Sequence, residues 1–218
     1  MQRFAKLEAP RGASLVGQYT IEAATHRRLA REIHDTVATH FVSANLLLGK
    51  VQRRSLDEEV RRSLDELNGE LTQALRDLRS FCFLLDAPPP AEGDLHHSLS
   101  AWTRGFADRA SLDLTFECKT DGRWLSGALQ AVVLRIVQEA LVNVARHAKA
   151  ECIAIRVLTD GDRLTVEIAD DGMGFSASAR SGVGLSSMIA RAREIDGDCE
   201  IHSSRSGTTV FASLPLAA

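Results

Sequence analysis

The 218-residue sequence lacks most of the features that mark a specialised class of protein. It has only four cysteines and five prolines, and aromatic residues make up 5% of the chain. No two cysteines form a Cys-x-x-Cys pair, so a disulfide scaffold is excluded and the thiols are interpreted as reduced, mostly buried residues. With a net charge of −3, the composition gives a nucleic-acid-binding role no support, and no nucleic-acid partner is expected.

Long hydrophobic runs are also absent from the sequence. No stretch of ~18 apolar residues occurs, which is about the length needed to cross a bilayer, so no membrane span is predicted. Residues 1–18 contain no apolar core of the kind found in secretory signals, and a cytoplasmic location is expected. Apolar residues nevertheless make up 44% of the chain and charged residues 25%. This is the composition of a globular protein with a sizeable core.

The first half of the chain has the period of two long helices. Residues 1–20 show no clear period and are expected to be a leader without regular structure. From about residue 22 to residue 51, apolar residues recur every three or four positions, which predicts a helix. A break follows, where Ser55 and Glu58 have the spacing of a capping box. A second apolar stripe then runs from Leu56 to Leu85.

These two stripes also predict an oligomeric state. A lone pair of antiparallel helices cannot bury both stripes, whereas two copies of the pair would form a four-helix bundle. Residues 21–87 are therefore expected to be a dimerisation domain, and the chain a homodimer.

A proline-rich segment then separates the two halves. Residues 88–93 are predicted to be a linker because they contain Pro88-Pro89-Pro90 and Gly93. In residues 94–218 the pattern changes to mixed elements, with helices at about 94–110, 125–148 and 184–195, and strands at about 112–118, 152–158, 164–169, 199–203 and 208–214. This order predicts an α+β sandwich with helices on one face of a largely antiparallel sheet.

The first chemical motif lies in the second of these helices. Glu139, Asn143 and His147 are spaced at i, i+4 and i+8, so they share one helix face. An Asn amide oxygen suits Mg²⁺, a hard ion that prefers oxygen ligands. The alternative is an ordinary amphipathic helix with a polar side.

The second motif is Asp170-Asp171-Gly172-Met173-Gly174, directly after an apolar strand. A carboxylate at a strand end can accept a hydrogen bond from an exocyclic amine such as that of adenine, and glycines let backbone approach a flat ligand. The alternative is a plain Asp-Gly turn.

The third motif is a glycine pair, Gly182 and Gly184, just before a helix. Glycines there leave N–H groups and the positive end of the helix dipole free for phosphates. A lone Gly-x-Gly is common in loops, so this motif is weak by itself.

The three motifs in this order resemble the N, G1 and G2 boxes of the GHKL (Bergerat) ATP-binding fold, which histidine kinases, gyrase-type ATPases and Hsp90-type chaperones share. The resemblance implies that ATP and Mg²⁺ are bound, with Asn143 holding Mg²⁺, Asp170 reading adenine, and Glu139 in a catalytic role. The remaining cofactor-binding residues that it implies are His147, Gly172, Gly174, Gly182, Gly184, Leu185 and Thr208.

The first half identifies the relatives more closely. Arg31-Glu32-Ile33-His34-Asp35 resembles the phosphoacceptor box of the NarL-partner histidine kinases, which carry a HisKA_3-type dimerisation domain before the ATP-binding domain. His34 follows the core position Ile33, so it flanks the apolar stripe and can be a nucleophile. Asp35 could orient His34 or accept its proton.

The resemblance covers roughly residues 25–216. It implies an autophosphorylating kinase whose partners are a second copy, the receiver domain of a response regulator and a separate sensor protein. Two alternatives stay open. One is a phosphotransfer adaptor with an inactive ATP domain, and the other is an ATP-driven clamp or serine kinase of the same superfamily in which His34 is incidental.

Overall fold

The computed structural model describes residues 11–52, 57–86, 95–175 and 183–217. The first half is a helical hairpin, as predicted. One arm consists of α1 (Arg11–Ile33), a π-helical turn (His34–Ala38) and α2 (Thr39–Gln52), which follow one another without a break. The other arm is α3 (Glu58–Leu85), which contacts both α1 and α2.

The hairpin begins earlier than predicted. Helix α1 starts at Arg11, within the segment that was expected to be a leader without regular structure. The reason lies in tertiary packing, since Tyr19 and Ala23 are 2% and 3% exposed and belong to the same apolar cluster as the second half of the chain. Such packing stabilises a helix that its own sequence period does not reveal.

The start of α3 also differs from the prediction. Asp57 is the N-cap, and its carboxylate accepts a hydrogen bond from the Val60 N–H at 2.9 Å. Ser55, the predicted cap, lies outside the described residues. Asp57 is an equally good cap because its side chain also satisfies an N–H group that the first turn leaves free.

The second half is an α+β sandwich, which confirms the predicted architecture. Its elements in chain order are α4 (Leu95–Ala110), β1 (Asp113–Lys119), α5 (Gly127–Asn143), a second π-helical turn (Val144–Ala148), β2 (Cys152–Asp160), β3 (Arg163–Asp170), α6 (Val183–Arg193), β4 (Asp198–Ser204) and β5 (Gly207–Pro215). The strand order is β1-β2-β3-β5-β4, with β1 and β2 parallel and the other pairs antiparallel.

The core lies between the sheet and helices α4, α5 and α6. Every second residue of the three central strands is buried, and the register aligns these residues across the sheet, as for Ile155, Ile168 and Val210. The opposite face carries polar residues, so the strands alternate as a one-sided sheet should.

The longest apolar segment forms the centre of this core. The helical segment Gly127–Ala148 is long and apolar enough to span a bilayer, although the sequence predicted no membrane span. However, 83% of its most apolar window is buried inside the protein. A core helix has this composition because other parts of the protein surround it.

The two halves of the chain pack against each other. Leu84, near the end of α3, is completely buried in the same apolar cluster as α5. The predicted linker, residues 88–93, lies outside the described residues, and the division into a dimerisation domain and an ATP-binding domain remains a prediction.

Replacing the cap of α3 should weaken the hairpin. We expect Asp57→Ala to lower the free energy of unfolding by about 1 kcal/mol, because one N–H group of the first turn loses its acceptor. Urea unfolding followed by circular dichroism measures the change. Asp57→Asn keeps an oxygen acceptor and should lose much less stability; equal losses in the two variants would contradict the capping role.

Candidate functional site

A cavity of about 330 Å³ lies where the end of α5, the end of β3, the start of α6 and strand β5 meet. Among its lining residues are seven of the predicted site residues: Asn143, His147, Asp170, Gly174, Gly184, Leu185 and Thr208. These residues come from four separate parts of the chain, which the fold brings to one place.

Asp170 is the half-buried carboxylate of this cavity. It is the last residue of β3, and the sheet register places it opposite Thr208 of β5. Its Oδ1 accepts a hydrogen bond from the Gly172 N–H at 2.9 Å. Burial raises the pKa of Asp170, although the backbone N–H groups of Gly172 and Thr208 oppose the shift. The side chain is therefore a fixed acceptor inside a mostly apolar cavity.

The neighbouring Asp171 has a different role. It is exposed, and its Oδ1 accepts hydrogen bonds from the backbone N–H groups of Glu151 and Cys152, both at 2.9 Å. These bonds lower the pKa of Asp171. The side chain ties the loop after β3 to the start of β2, and it is not among the residues that line the cavity.

Two glycines allow the loop after β3 to form the cavity wall. A Cβ atom on Gly172 would overlap the carbonyl oxygen of Ala148, and Gly174 has φ = +58°, where a Cβ would also overlap the carbonyl oxygen of Ser204. The Met173 N–H donates to the Ala148 carbonyl at 2.8 Å. Gly172 therefore lies behind the wall and shapes it, while Gly174 lines the cavity.

The predicted polar residues of the α5 segment line two neighbouring cavities. Asn143 and His147 line the cavity. Glu139 lies beside it, since a Cβ on Gly184 would overlap the Glu139 carboxylate at the first turn of α6. Glu139 also lines a second cavity together with Arg135 and residues of the hairpin. Unlike Asn143 and His147, Glu139 is not among the residues that line the cavity, although it lies against Gly184, which is.

The apolar lining of the cavity was not predicted. It includes Ala140 of α5, Val144 of the π-helical turn, Ile168 of β3, Phe175 of the loop after β3, and Val210 of β5. The alternation of side chains along β3 could have predicted Ile168, since it precedes Asp170 by two positions and so lies on the same face of the strand. The remaining predicted residue, Gly182, lies outside the described residues.

The predicted nucleophile lies in the hairpin. His34 is the first residue of the π-helical turn between α1 and α2. Asp35 is exposed and lines a separate groove with Arg27, Arg31, Arg79 and Arg109. Within the described part of the chain, this groove and the cavity have no lining residue in common.

Comparisons with known proteins agree with the two halves of the fold. A family model described as histidine kinase (HisKA_3) matches residues 26–91. A second model (HATPase_c), described as histidine kinase-, DNA gyrase B- and HSP90-like ATPase, matches residues 129–218.

Curated relatives and solved structures give the same result. The chain is 30% identical over 202 residues to the sensor histidine kinase MctS of Rhizobium johnstonii, covering 88% of this chain and 43% of that protein. It is 28% identical to the sensor histidine kinase LiaS of Bacillus subtilis, covering 87% and 54%. The chain thus spans about half the length of these relatives. A blue-light activated histidine kinase of Erythrobacter litoralis has the same fold, with a TM-score of 0.50 at 15% identity, covering 75% of this chain and 64% of that one.

The opposite pKa shifts of the two aspartates predict opposite effects of pH on stability. Because the pKa of Asp170 is raised in the folded state, ionising it costs stability, and this cost develops as pH rises from 3.8, its ordinary pKa, through the folded value. Because the pKa of Asp171 is lowered, its contribution is present above its ordinary pKa and is lost as pH falls through the folded value.

Urea unfolding of two variants over an acidic pH series tests this assignment. Compared with the unsubstituted chain, Asp170→Asn should gain relative stability as the pH rises, whereas Asp171→Asn should lose it. The same trend in both variants would contradict the assignment of one buried acceptor and one backbone anchor.

Proposed function

The chain belongs to the histidine kinases that join a HisKA_3 region to a HATPase_c region, and from this premise we propose that it binds ATP with Mg²⁺ and phosphorylates its own His34. One observation supports the proposal most strongly. A single cavity in the HATPase_c region combines a half-buried carboxylate at a strand end, an apolar lining and the first turn of a helix.

The cavity suits an adenine nucleotide. Asp170 can accept a hydrogen bond from the exocyclic amine of adenine, and the apolar side chains of Ile168 and Val210 can pack against the base. Gly184 and Leu185 lie in the first turn of α6, where free N–H groups and the helix dipole favour phosphate. We assign Gly182 to the same phosphate contacts on the resemblance of its motif.

Asn143 is the residue that would hold Mg²⁺. Its half-buried amide lines the cavity, and its oxygen is a suitable ligand for a hard cation. The described residues contain no group of three or more His, Cys, Asp or Glu side chains that could hold a metal ion. Mg²⁺ is usually bound through one or two protein side chains together with water and substrate phosphates, so Asn143 would act beside the phosphates of ATP. When bound, Mg²⁺ neutralises charge on the phosphates.

The proposed reaction is in-line phosphoryl transfer. A ring nitrogen of His34 attacks the γ-phosphorus, the bond from that phosphorus to the oxygen bridging the β- and γ-phosphates breaks, and ADP leaves. Asp35 orients His34 or accepts its ring proton, and Glu139 is the second candidate for that base. Catalysis of this kind depends mainly on positioning and on charge neutralisation. Phosphohistidine then donates the group to an aspartate in the receiver domain of a response regulator.

The exposed apolar residues of the hairpin support a homodimer. Six residues of α2 and α3 are 41–65% exposed, namely Val42, Leu46, Leu47, Val51, Val60 and Leu67. A second hairpin would cover them and complete a four-helix bundle. We further propose a cytoplasmic location, with residues 21–87 as the dimerisation domain, residues 94–218 as the ATP-binding domain, and input from a separate sensor protein.

Incubation with γ-³²P-labelled ATP and Mg²⁺ tests the reaction. We expect acid-labile label on the unsubstituted chain and none on His34→Gln, because the nucleophile is gone, while calorimetry shows ATP binding to both. His40→Gln is the matched control, since His40 is an exposed histidine six residues further along the same helical arm. It should be labelled normally.

The other outcomes separate the alternatives. Label on His34→Gln would remove His34 from the mechanism, and acid-stable label would favour a serine kinase. A chain that neither binds ATP nor becomes labelled would favour the phosphotransfer adaptor.

Charge on the exposed apolar residues should prevent dimerisation. We expect Leu46→Glu combined with Leu47→Glu to give a monomer, because burying two carboxylates in a bundle core is strongly unfavourable. Light scattering after size-exclusion chromatography gives the mass. Phe211→Glu, at an exposed apolar residue of the sheet, should remain dimeric. A dimer in both variants would place the interface elsewhere.

A further inference from the structure

A groove of about 650 Å³ lies between α3, the end of α4 and the π-helical turn Val144–Ala148. Its volume is about twice that of the cavity assigned to ATP. Seven of its twelve lining residues are charged or polar, against four of thirteen in the ATP cavity. The proposed reaction assigns no role to this groove.

Positive charge dominates the groove. Arg109 of α4, Arg146 of the π-helical turn and Lys149 line it, and Asp77 of α3 is the one acidic residue in its described lining. Among the described residues, none of the three cations has an ion-pair partner. The walls of a groove focus the potential of such charges inside it. An anion in the groove would relieve the repulsion among the three cations.

The cations at another junction between the same halves of the chain are paired. The Glu22 carboxylate of α1 accepts a hydrogen bond from Arg135 of α5 at 2.6 Å and another from Arg191 of α6 at 3.0 Å. In the described lining of the groove, the hairpin supplies only Asp77 for three cations, and Asp77 accepts a hydrogen bond from Gln73 at 2.8 Å. The groove therefore keeps an excess of positive charge.

Two of the three cations are held in place by aromatic rings of α3. The Arg109 guanidinium lies over the Phe83 ring at 4.1 Å from its centroid, and that of Arg146 lies over the Phe81 ring at 4.4 Å. Arg109 also donates a hydrogen bond to the Gly105 carbonyl at 2.6 Å. A side chain that is already ordered loses less conformational freedom when it binds a ligand. Guanidinium groups match the geometry of phosphate and carboxylate oxygens.

The backbone of the groove is also unusual. Ser111 and Lys149 have φ = +57° and +52°, and they are two of the four non-glycine residues with positive φ in the described chain. Such conformations are costly and concentrate at functional sites. Ser111 and the buried Ser80 add hydroxyl groups to the lining. The groove thus combines ordered cations with hydroxyl groups, which are the groups that bind an oxyanion.

The π-helical turn connects this groove with the ATP cavity. Val144 lines both of them. Arg146 lines the groove, and the next residue, His147, lines the ATP cavity. The carbonyl of Ala148 accepts a hydrogen bond from the Met173 N–H at 2.8 Å, which ties the turn to the loop after β3. An anion that holds Arg146 therefore also restrains a wall of the ATP cavity.

We propose that this groove is a regulatory site for a compact anion with two or more negative charges, a phosphate or a dicarboxylate, and that its occupation tightens ATP binding. This inference rests on the assignment of the neighbouring cavity to ATP. The anion orders the π-helical turn from one side, so ATP on the other side has less of the turn left to order. Because coupling between two sites is reciprocal, ATP tightens the binding of the anion by the same factor.

Titration calorimetry on the full chain tests the proposal. Inorganic phosphate and succinate are titrated separately, and ATP with Mg²⁺ is then titrated with and without each anion. Sodium chloride at the same ionic strength is the control for general salt effects. We expect saturable binding of at least one of the two anions, and a decrease of roughly fivefold or more in the dissociation constant of ATP. The anion that binds more tightly identifies the chemistry of the natural ligand.

Three variants locate the binding site. Lys149→Asn removes a cation and keeps a residue that tolerates positive φ, so anion binding should weaken roughly fivefold or more while ATP binding without the anion persists. Asp77→Asn removes the acidic residue and should strengthen anion binding roughly two- to fivefold, a direction that misfolding would not produce. Arg104→Gln is the matched control, because Arg104 is an exposed arginine of α4 outside the groove, and it should change neither measurement.

The contrary results are equally specific. Binding of neither anion, or equal binding to the unsubstituted chain and Lys149→Asn, would overturn the proposal. An anion that leaves ATP affinity unchanged would overturn it too, and one that weakens ATP binding would be a competitor within the ATP cavity. In each of these cases the kinase function stands. A chain that binds no ATP under any of these conditions would instead remove the proposed function, and this inference with it.

Discussion

Helix α5 is the element on which the rest of the structure depends, because it must satisfy three neighbours at once. One side packs its apolar residues on the sheet, the C-terminal end lines the cavity, and the side bearing Arg135 and Gln138 faces the hairpin. A helix that is buried on nearly every side needs a partner for each polar group. Arg135 donates to Glu22, and Gln138 donates to the Leu84 carbonyl, both in the hairpin, although Arg135 Nε is buried without a hydrogen-bond partner among the described residues. The packing of α5 in the core therefore also holds the hairpin against it.

The two departures from regular α-helix include residues that the sequence predicted to be functional. One π-helical turn begins at His34 and the other spans Val144–Ala148, which includes His147. Such turns are rare and occur often at functional sites. The separation of Glu139 from His147 follows from helix geometry. Two residues four positions apart are offset by about 40° around the axis of a helix with 3.6 residues per turn. Glu139 and Asn143 are offset by one such step, and His147 lies in the π-helical turn, where the period of α5 no longer holds.

Local patterns predicted a large part of this structure. The strand alternation, the two long helices and the carboxylate at the end of β3 all follow from near neighbours in sequence. The different roles of Asp170 and Asp171 do not follow from near neighbours in sequence. They depend on which of the two side chains meets the backbone of residues 151 and 152, some twenty positions away. The start of α1 at Arg11 and the pairing of Glu22 with Arg135, 113 positions apart, are tertiary effects that no local period contains.

The ion pairs that join α1 to α5 and α6 have an energetic consequence. An apolar contact gains stability in proportion to the apolar surface area that it removes from water. A buried ion pair must first lose its hydration, and that cost offsets much of the attraction between the charges. The Arg135 side chain is 7% exposed and that of Glu22 is 30% exposed, so both have lost water in this contact. The Glu22 contact therefore favours one arrangement of the helices more than it adds to their stability. Tyr19 and Ala23 add apolar area that does not depend on an exact geometry, but the two arginines can meet one carboxylate only when α1, α5 and α6 are all in place.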